Sequence, residues 1–421
     1  MLMLSRSETK GSPQDERATA RAPARRRPTP VISPHTPGKT TSLAVVPAAA
    51  PRVASVDALR GFSMILILGA DLVAGGIRQM LAPEGPPLAT IGRLIGKQFT
   101  HAEWHGAYFW DFLFPMFIFV VGVSIVFSLP KLVEREGRWV AHKRIFRRFV
   151  LLFALGVICY GGVADGWSEV RLSGVLQRIA LCYLFASLIF VNTGLRGLIV
   201  ALVGLLVGYW ALMTFVPVPG VGAGSYAQNA NLANWIDANY LPGRKWEGSW
   251  DPEGILSTLP AIGTCLLGVF AGLLLKNPGL DAAAKTRWLI GAGIVLIAAG
   301  LLWSVQFPIN KYLWTSSFVL VTGGFSALTL GVFHEIIDVR GYKTWASAFV
   351  WIGASAITLY IFNFIAGFYP LAERVIGGDV ARLADTYLAP GAGQFFTALL
   401  GLALAVAAAR FLYQRRIFLR V

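Results

Sequence analysis

About ten apolar runs punctuate the chain, each near the length needed to cross a bilayer, and this restricts it to folds that live in lipid. They fall at 64–72 with its flanks, 112–129, 149–161, 175–191, 198–216, 255–275, 288–305, 318–333, 346–368 and 395–413. About 20 helical residues span a hydrocarbon core of about 30 Å. The runs are continuous and lack the period-two alternation of barrel strands, so each must satisfy its backbone amides within a helix. An all-α, polytopic membrane bundle of about ten helices is expected, or eleven if a long loop holds a further half-helix. Charged residues make up 14 % of the chain, whereas a soluble domain carries about a quarter.

The formal net charge of +15 is concentrated before Val53 and between the apolar runs. It does not fall on a face with interleaved base-stacking aromatics, so it reads as a topology signal and not as nucleic-acid binding. Residues 1–50, rich in Pro, Ala and Arg, cannot bury a core and are expected to form a disordered basic tail. They lack the features of a secretory signal. Residues 53–421 form the transmembrane domain. Lys131, Arg135, Arg138, Lys143, Arg144, Arg147 and Arg148 share one side with Lys276, Lys285, Arg287, Arg340, Lys343, Arg415, Arg416 and Arg420 if there are ten crossings. That side should be cytoplasmic and hold both termini. The alternate loops, 79–108, 163–172, 217–254, 306–315 and 369–394, then face the periplasm, exterior or a lumen. Trp104, Trp110, Trp167, Trp235, Trp246, Trp250 and Trp314 lie in or beside them, as interfacial anchors would. Cys159, Cys182 and Cys265 lie in separate apolar runs and read as packing residues.

Charge within a bilayer is costly, which makes polar groups at helix ends candidates for function. The densest group is His101-Ala-Glu103-Trp104-His105-Gly106, followed by Asp111-Phe-Leu-Phe-Pro115. Imidazole can move protons near neutral pH or attack an acyl group. Asp111 or Glu103 could fix its tautomer, and the alternative is a pair of interfacial histidines without chemistry. A zinc site fits poorly, because Glu103 does not directly follow His101 as the helical zinc motif requires, and no metal is expected. Asp57 and Arg60 open the first helix either as cap and topology charge or as a phosphate site. Arg178, in Gln177-Arg178, needs an ion-pair partner or a ligand. Asp251-Pro-Glu253-Gly254 and Pro308-Ile-Asn310-Lys311 read as helix-start turns or as parts of a site. The absence of an internal repeat disfavours a transporter built from inverted halves, although a transporter or flippase for a glycan or lipid-linked precursor remains the rival class.

Taken in order, Asp57-Ala-Leu-Arg60-Gly61, His101-Ala-Glu-Trp104-His-Gly106, Asp111-Phe-Leu-Phe-Pro115, Gly174-Val-Leu-Gln177-Arg178, Asp251-Pro-Glu253-Gly254 and Pro308-Ile-Asn310-Lys311-Tyr-Leu-Trp314 resemble the heparan-α-glucosaminide N-acetyltransferase family and its bacterial relatives. The resemblance runs from about Val53 to Phe368 and more loosely beyond. It implies a transmembrane acyltransferase that takes an acetyl group from cytosolic acetyl-CoA to an amino sugar or glycan on the opposite side, in a bacterial inner membrane. It implies His101 as the catalytic histidine and Asp111 as its aspartate. Asp57, Arg60 and Arg178 would serve acetyl-CoA. Glu103, Trp104, Asp71, Glu253, Asn310 and Lys311 would serve the acceptor. A homodimer is expected by analogy. Asp71 stands where the family commonly has asparagine, Asn363 marks a second departure in the ninth helix, and the basic tail stands where the lysosomal member has a lumenal domain. Heparan itself is therefore not the expected acceptor, and O-acylation of an envelope polysaccharide differs only in the acceptor.

Overall fold

A computed structural model describes residues 53–164 and 166–419; the expected tail over 1–50 lies outside the described residues. The described chain begins with a bent pair, α1 (Ala54–Ile67) and α2 (Ala70–Leu81), turned by 51°. A short α3 (Leu88–Gln98) follows, in a stretch expected to be loop. α4 (Leu113–Cys159), α5 (Val175–Asn192) and α6 (Leu195–Phe215) come next. A long connection then carries the short α7 (Leu232–Tyr240). α8 (Thr258–Lys276), α9 (Ala282–Trp303) and α10 (Ser316–Phe333) are single crossings, and α11 (Ser347–Ala354) with α12 (Ala356–Ile365) is a second bent pair, turned by 74°. The short helices α13 (Phe368–Ile376) and α14 (Asp379–Tyr387) lead to α15 (Ala392–Gln414).

Among the described residues seven helices are long and apolar enough to cross a membrane, or nine if each bent pair is one crossing. α4 accounts for one more. A straight helix of its 47 residues would be about 70 Å long, far beyond a hydrocarbon core of about 30 Å. Gly137, at φ 82°, breaks it. Near its start Phe114 packs edge-on against Trp314, whose ring lies beneath Arg178 of α5. Near its end Gly156 lies against Gln177, also of α5. Both ends therefore meet the first turn of α5, so α4 is a hairpin of two crossings. The fold is thus an all-α membrane bundle, consistent with about ten crossings.

Close backbone approach replaces the hydrophobic effect as the packing device, because lipid tails are as apolar as the helices they surround. A Cβ on Gly122 would stand 1.9 Å from the Cys265 carbonyl oxygen, and one on Gly268 would stand 1.9 Å from that of Phe119. These reciprocal contacts lock α4 to α8. Gly61 and Gly353 do the same between α1 and α11. Gly122→Leu should force α4 and α8 apart and destabilise the protein by about 1–3 kcal/mol or more. Thermal unfolding in detergent checks this, and an unchanged transition would show that the two helices are not in this register.

Candidate active site

The site is built where two irregular segments meet at one end of the bundle. A single 3-10 turn, Phe109–Phe112, leads into α4, with Pro115 close behind, where a missing N–H costs little. Asp111 sits in that turn with its side chain fully buried. Its Oδ2 accepts from the Tyr108 amide at 2.9 Å and the Ala102 amide at 3.2 Å. These two bonds tie residues 102–108 back onto the helix start and carry His101 over the carboxylate. With its proton on Nδ1, His101 donates to Asp111 Oδ1 at 2.8 Å, which leaves the Nε2 lone pair available. The His101 side chain is 46 % exposed, so reactants can reach it from outside the protein.

The second segment, 306–315, is stitched to the first through the Gly106 amide, which donates to the Ile309 carbonyl at 2.8 Å. Asn310 is fully buried; its Oδ1 caps the Leu313 amide at 2.9 Å, and its Nδ2 lies 3.5 Å from His105 Nδ1. The turn places Trp314 at φ 51°, a left-handed conformation that costs a non-glycine residue about 1–2 kcal/mol. Burial of the indole and its Nε1 donation to Thr264 hold it there. This turn delivers Lys311 to the pair: Nζ lies 3.3 Å from Asp111 Oδ1, and 2.7 Å and 3.1 Å from the two ring nitrogens of His101. In the tautomer that donates from Nδ1 to Asp111, Nε2 is the ring nitrogen able to accept from Lys311 or from a reactant. Burial pulls the Lys311 ammonium below the usual lysine range, while Asp111 and Glu253 oppose the shift.

Aromatic rings wall the site. Trp104 stacks on Tyr312 with ring centres 5.5 Å apart, meets Trp250 edge-on, and donates from Nε1 to the Tyr226 carbonyl. Trp250 and Trp314, expected as interfacial anchors, are instead fully buried; their rings pack against the site, whereas Trp167 is exposed as an anchor would be.

A second polar cluster adjoins the first. Arg171 holds Asp251 with a two-pronged contact, Nε to Oδ2 at 3.0 Å and Nη2 to Oδ1 at 2.9 Å, and reaches Glu253 Oε2 at 3.0 Å. Its guanidinium lies between the rings of Tyr160 and Trp246. Burial pushes the Asp251 carboxyl up, but the Arg171 fork and the Trp246 and Glu253 amides outweigh it and hold it below the usual range. Burial raises Glu253. Arg178, also fully buried, donates to Ser257 Oγ and, at 3.4 Å, to the Gly254 carbonyl, while its Nε and Nη1 have no hydrogen-bond partner among the described residues. Two unmet donors on a buried guanidinium suit an incoming oxygen acceptor.

Asp237, in α7, closes this cluster by accepting from the Ile255 amide at 2.9 Å and the Asp251 amide at 3.4 Å. Burial raises it from 3.8 to about 6. The folded protein therefore binds a proton more tightly than the unfolded chain, and Asp237 contributes stability that is fully present below pH 3.8 and lost as pH rises through about 6. Melting temperature across that window should fall with rising pH, and Asp237→Asn should flatten that slope. An identical slope in the variant would assign it to other groups.

Not all of the expected site residues meet. Asp71, in the first turn of α2, is within electrostatic reach of His101. Glu103 is exposed and makes no hydrogen bond among the described residues. Asp57 and Arg60 pair with each other at 3.0 Å, and Arg60 Nη2 donates to Ser124 Oγ at 2.7 Å. Ser124 lies 13 residues beyond Asp111 along the α4 segment, or about 20 Å, so this pair sits deeper in the bundle. Arg178, grouped with them from the sequence, lies instead at the His101 end. Sequence reasoning missed Arg171 and Asp237, whose only signal was charge in a long loop. It also missed Ser124, a hydroxyl within an apolar run.

Residues 52–236 match a family profile described as a domain of unknown function, DUF5009. The chain is 28 % identical to heparan-alpha-glucosaminide N-acetyltransferase of Homo sapiens over 371 residues, covering 74 % of this chain and 52 % of that protein. The family resemblance holds. The Mus musculus enzyme of the same name is 26 % identical over 373 residues, covering 74 % of this chain and 53 % of the relative. The chain thus spans about half the length of the curated relatives it matches. The heparan-α-glucosaminide N-acetyltransferase resemblance carried by the motifs is thus matched by similarity over about three quarters of this chain.

Proposed function

We propose that the protein is a membrane-embedded acyltransferase that moves an acetyl group from acetyl-CoA to an amino sugar or glycan amine on the opposite side of the membrane. The observation that carries this reading is the His101–Asp111 pair, open at one end of the bundle, above the polar group Asp57–Arg60–Ser124 about 20 Å deeper. The names of the two relatives agree with it. Basic residues crowd the α4 hairpin around Gly137, at the end opposite His101, which supports a cytoplasmic placement of that end in a bacterial inner membrane.

In this reading acetyl-CoA enters from the Gly137 end. Arg60, already hydrogen-bonded to Asp57 and Ser124, receives its phosphates or pantetheine arm, and the thioester reaches His101. Asp111 holds the imidazole with Nε2 toward the reactants and stabilises the imidazolium. Nε2 then either accepts the acetyl group or takes the proton of the attacking amine. The free donors of Arg178 favour the carbonyl oxygen of donor or acceptor, and Asn310, Trp104 and Asp71 shape the acceptor side. Orientation of this kind supplies about 7–11 kcal/mol when near-attack geometry is reached.

The purified protein should release CoA thiol from labelled acetyl-CoA when amino sugars are supplied, with the label recovered on the sugar nitrogen. Label on a hydroxyl would reassign the acceptor class. No turnover across amine and hydroxyl acceptors would remove the acyltransferase reading and favour transport.

A further inference from the structure

The Lys311 amine stands where an acceptor amine would have to stand. Its Nζ lies against the His101 ring, 2.7 Å from Nδ1 and 3.1 Å from Nε2, the nitrogen that would deprotonate an acceptor, and 3.3 Å from the carboxylate that orients the ring. It is a primary amine on a flexible stem, and its side chain is only 14 % exposed, so it competes with bulk acceptors at high effective concentration. We propose that Lys311 is a self-acetylation site, acting as an intramolecular acceptor when no external amine is bound. This inference rests on the acyltransferase reading above.

The step balances. The Lys311 ammonium first passes one proton through His101 Nε2 to solvent. The neutral amine attacks the thioester carbonyl carbon, so a C–N bond forms and the C–S bond breaks. The second nitrogen-bound proton returns through His101 to the departing sulfur. The products are Nε-acetyl-Lys311, CoA as its thiol, and one proton. Burial, which lowers the ammonium's proton affinity, favours the first transfer. The acetylated side chain is neutral and bulkier, loses its pairing with Asp111, and fills the acceptor position. Self-acetylation would therefore switch off transfer while acceptor is scarce.

The test incubates the purified full-length protein with labelled acetyl-CoA, with and without an excess of glucosamine, and maps acetyl groups by peptide mass spectrometry. Acetylation should appear at Lys311 ahead of Lys97, Lys131 and Lys276, be suppressed by glucosamine, and fall by about 10²-fold or more in His101→Ala, the usual contribution of a general base. Lys311→Arg, which keeps the charge without an acetylatable amine, should show no label at that peptide. In the wild type, glucosamine transfer after preincubation should drop in proportion to the acetylated fraction. Acetylation of Lys311 at equal rates in wild type and His101→Ala would mean solution chemistry and overturn the proposal. So would transfer to glucosamine with Lys311 unmodified, an outcome that leaves the acyltransferase reading intact. Absence of both transfer and acetylation would overturn the two together.

Discussion

His101→Ala should lower acetyl transfer by about 10²–10⁴-fold, the range lost when a positioned general base is removed, while leaving the fold intact. The ring is nearly half exposed, and among the described residues its side-chain bonds run to Asp111 and Lys311, so little packing is lost with it. The variant should elute and melt like the wild type. If the imidazole acts as nucleophile, the loss should fall at the top of that range or beyond, and an acetyl-histidine should be trapped in the wild type at low acceptor. Asp111 separates orientation from chemistry. Asp111→Asn keeps the shape but places an amide NH₂ against either the two backbone amides or the imidazole N–H. It should therefore turn the ring or its tautomer and lower kcat with little change in acetyl-CoA binding. Transfer unaffected by His101→Ala would place the chemistry elsewhere in the bundle.

The largest effect on stability is expected at the Arg171–Asp251 pair. Both side chains are essentially inaccessible, and the contact is bidentate. Breaking a buried pair strands a charge and destabilises by about 3–5 kcal/mol, more than the pair's net contribution, because the remaining ion has been taken out of water. Asp251→Ala removes four hydrogen-bond acceptances at once: two from Arg171 and one each from the Trp246 and Glu253 amides. The melting temperature should fall sharply, and the start of α8 should loosen with it, since Gly254 and Ile255 are held through the same cluster. Simultaneous replacement of Arg171 and Asp251 by apolar residues of similar volume should destabilise less than Asp251→Ala alone. Equal loss in the double variant would show that the fork itself, rather than a stranded charge, sets the stability.

Much of this architecture is legible in the chain because lipid leaves few options. A run such as 198–216 has to be a helix, and its length fixes it as one crossing. The bends were not legible. Gly69 lies within the first bent pair and Ser355 within the second, yet neither residue type is rare in straight membrane helices, and apolar periodicity is blind to the direction of the axis. α3, α13 and α14 were hidden for the opposite reason: they are short and amphipathic, and long loops swallow them. At the site, His101 and Asp111 stood out because two ionisable residues near a membrane helix start demand an explanation. Lys311 was legible as a motif member, but its distance to His101 depends on a backbone bond between residues 106 and 309 that no spacing encodes. Arg171 and Asp251, 80 residues apart, are likewise joined only by tertiary structure. In sequence Arg178 and Arg60 look alike, as cations in membrane helices; the α4 hairpin places them at different depths.

The most direct test of transmembrane transfer uses sealed liposomes carrying the reconstituted protein, with an amino sugar trapped inside and labelled acetyl-CoA outside. Labelled N-acetyl sugar should appear in the lumen while the acetyl-CoA remains external, and none with His101→Ala or protein-free vesicles. Product that forms only after detergent opens the vesicles, or only when both substrates share one side, would contradict transmembrane transfer.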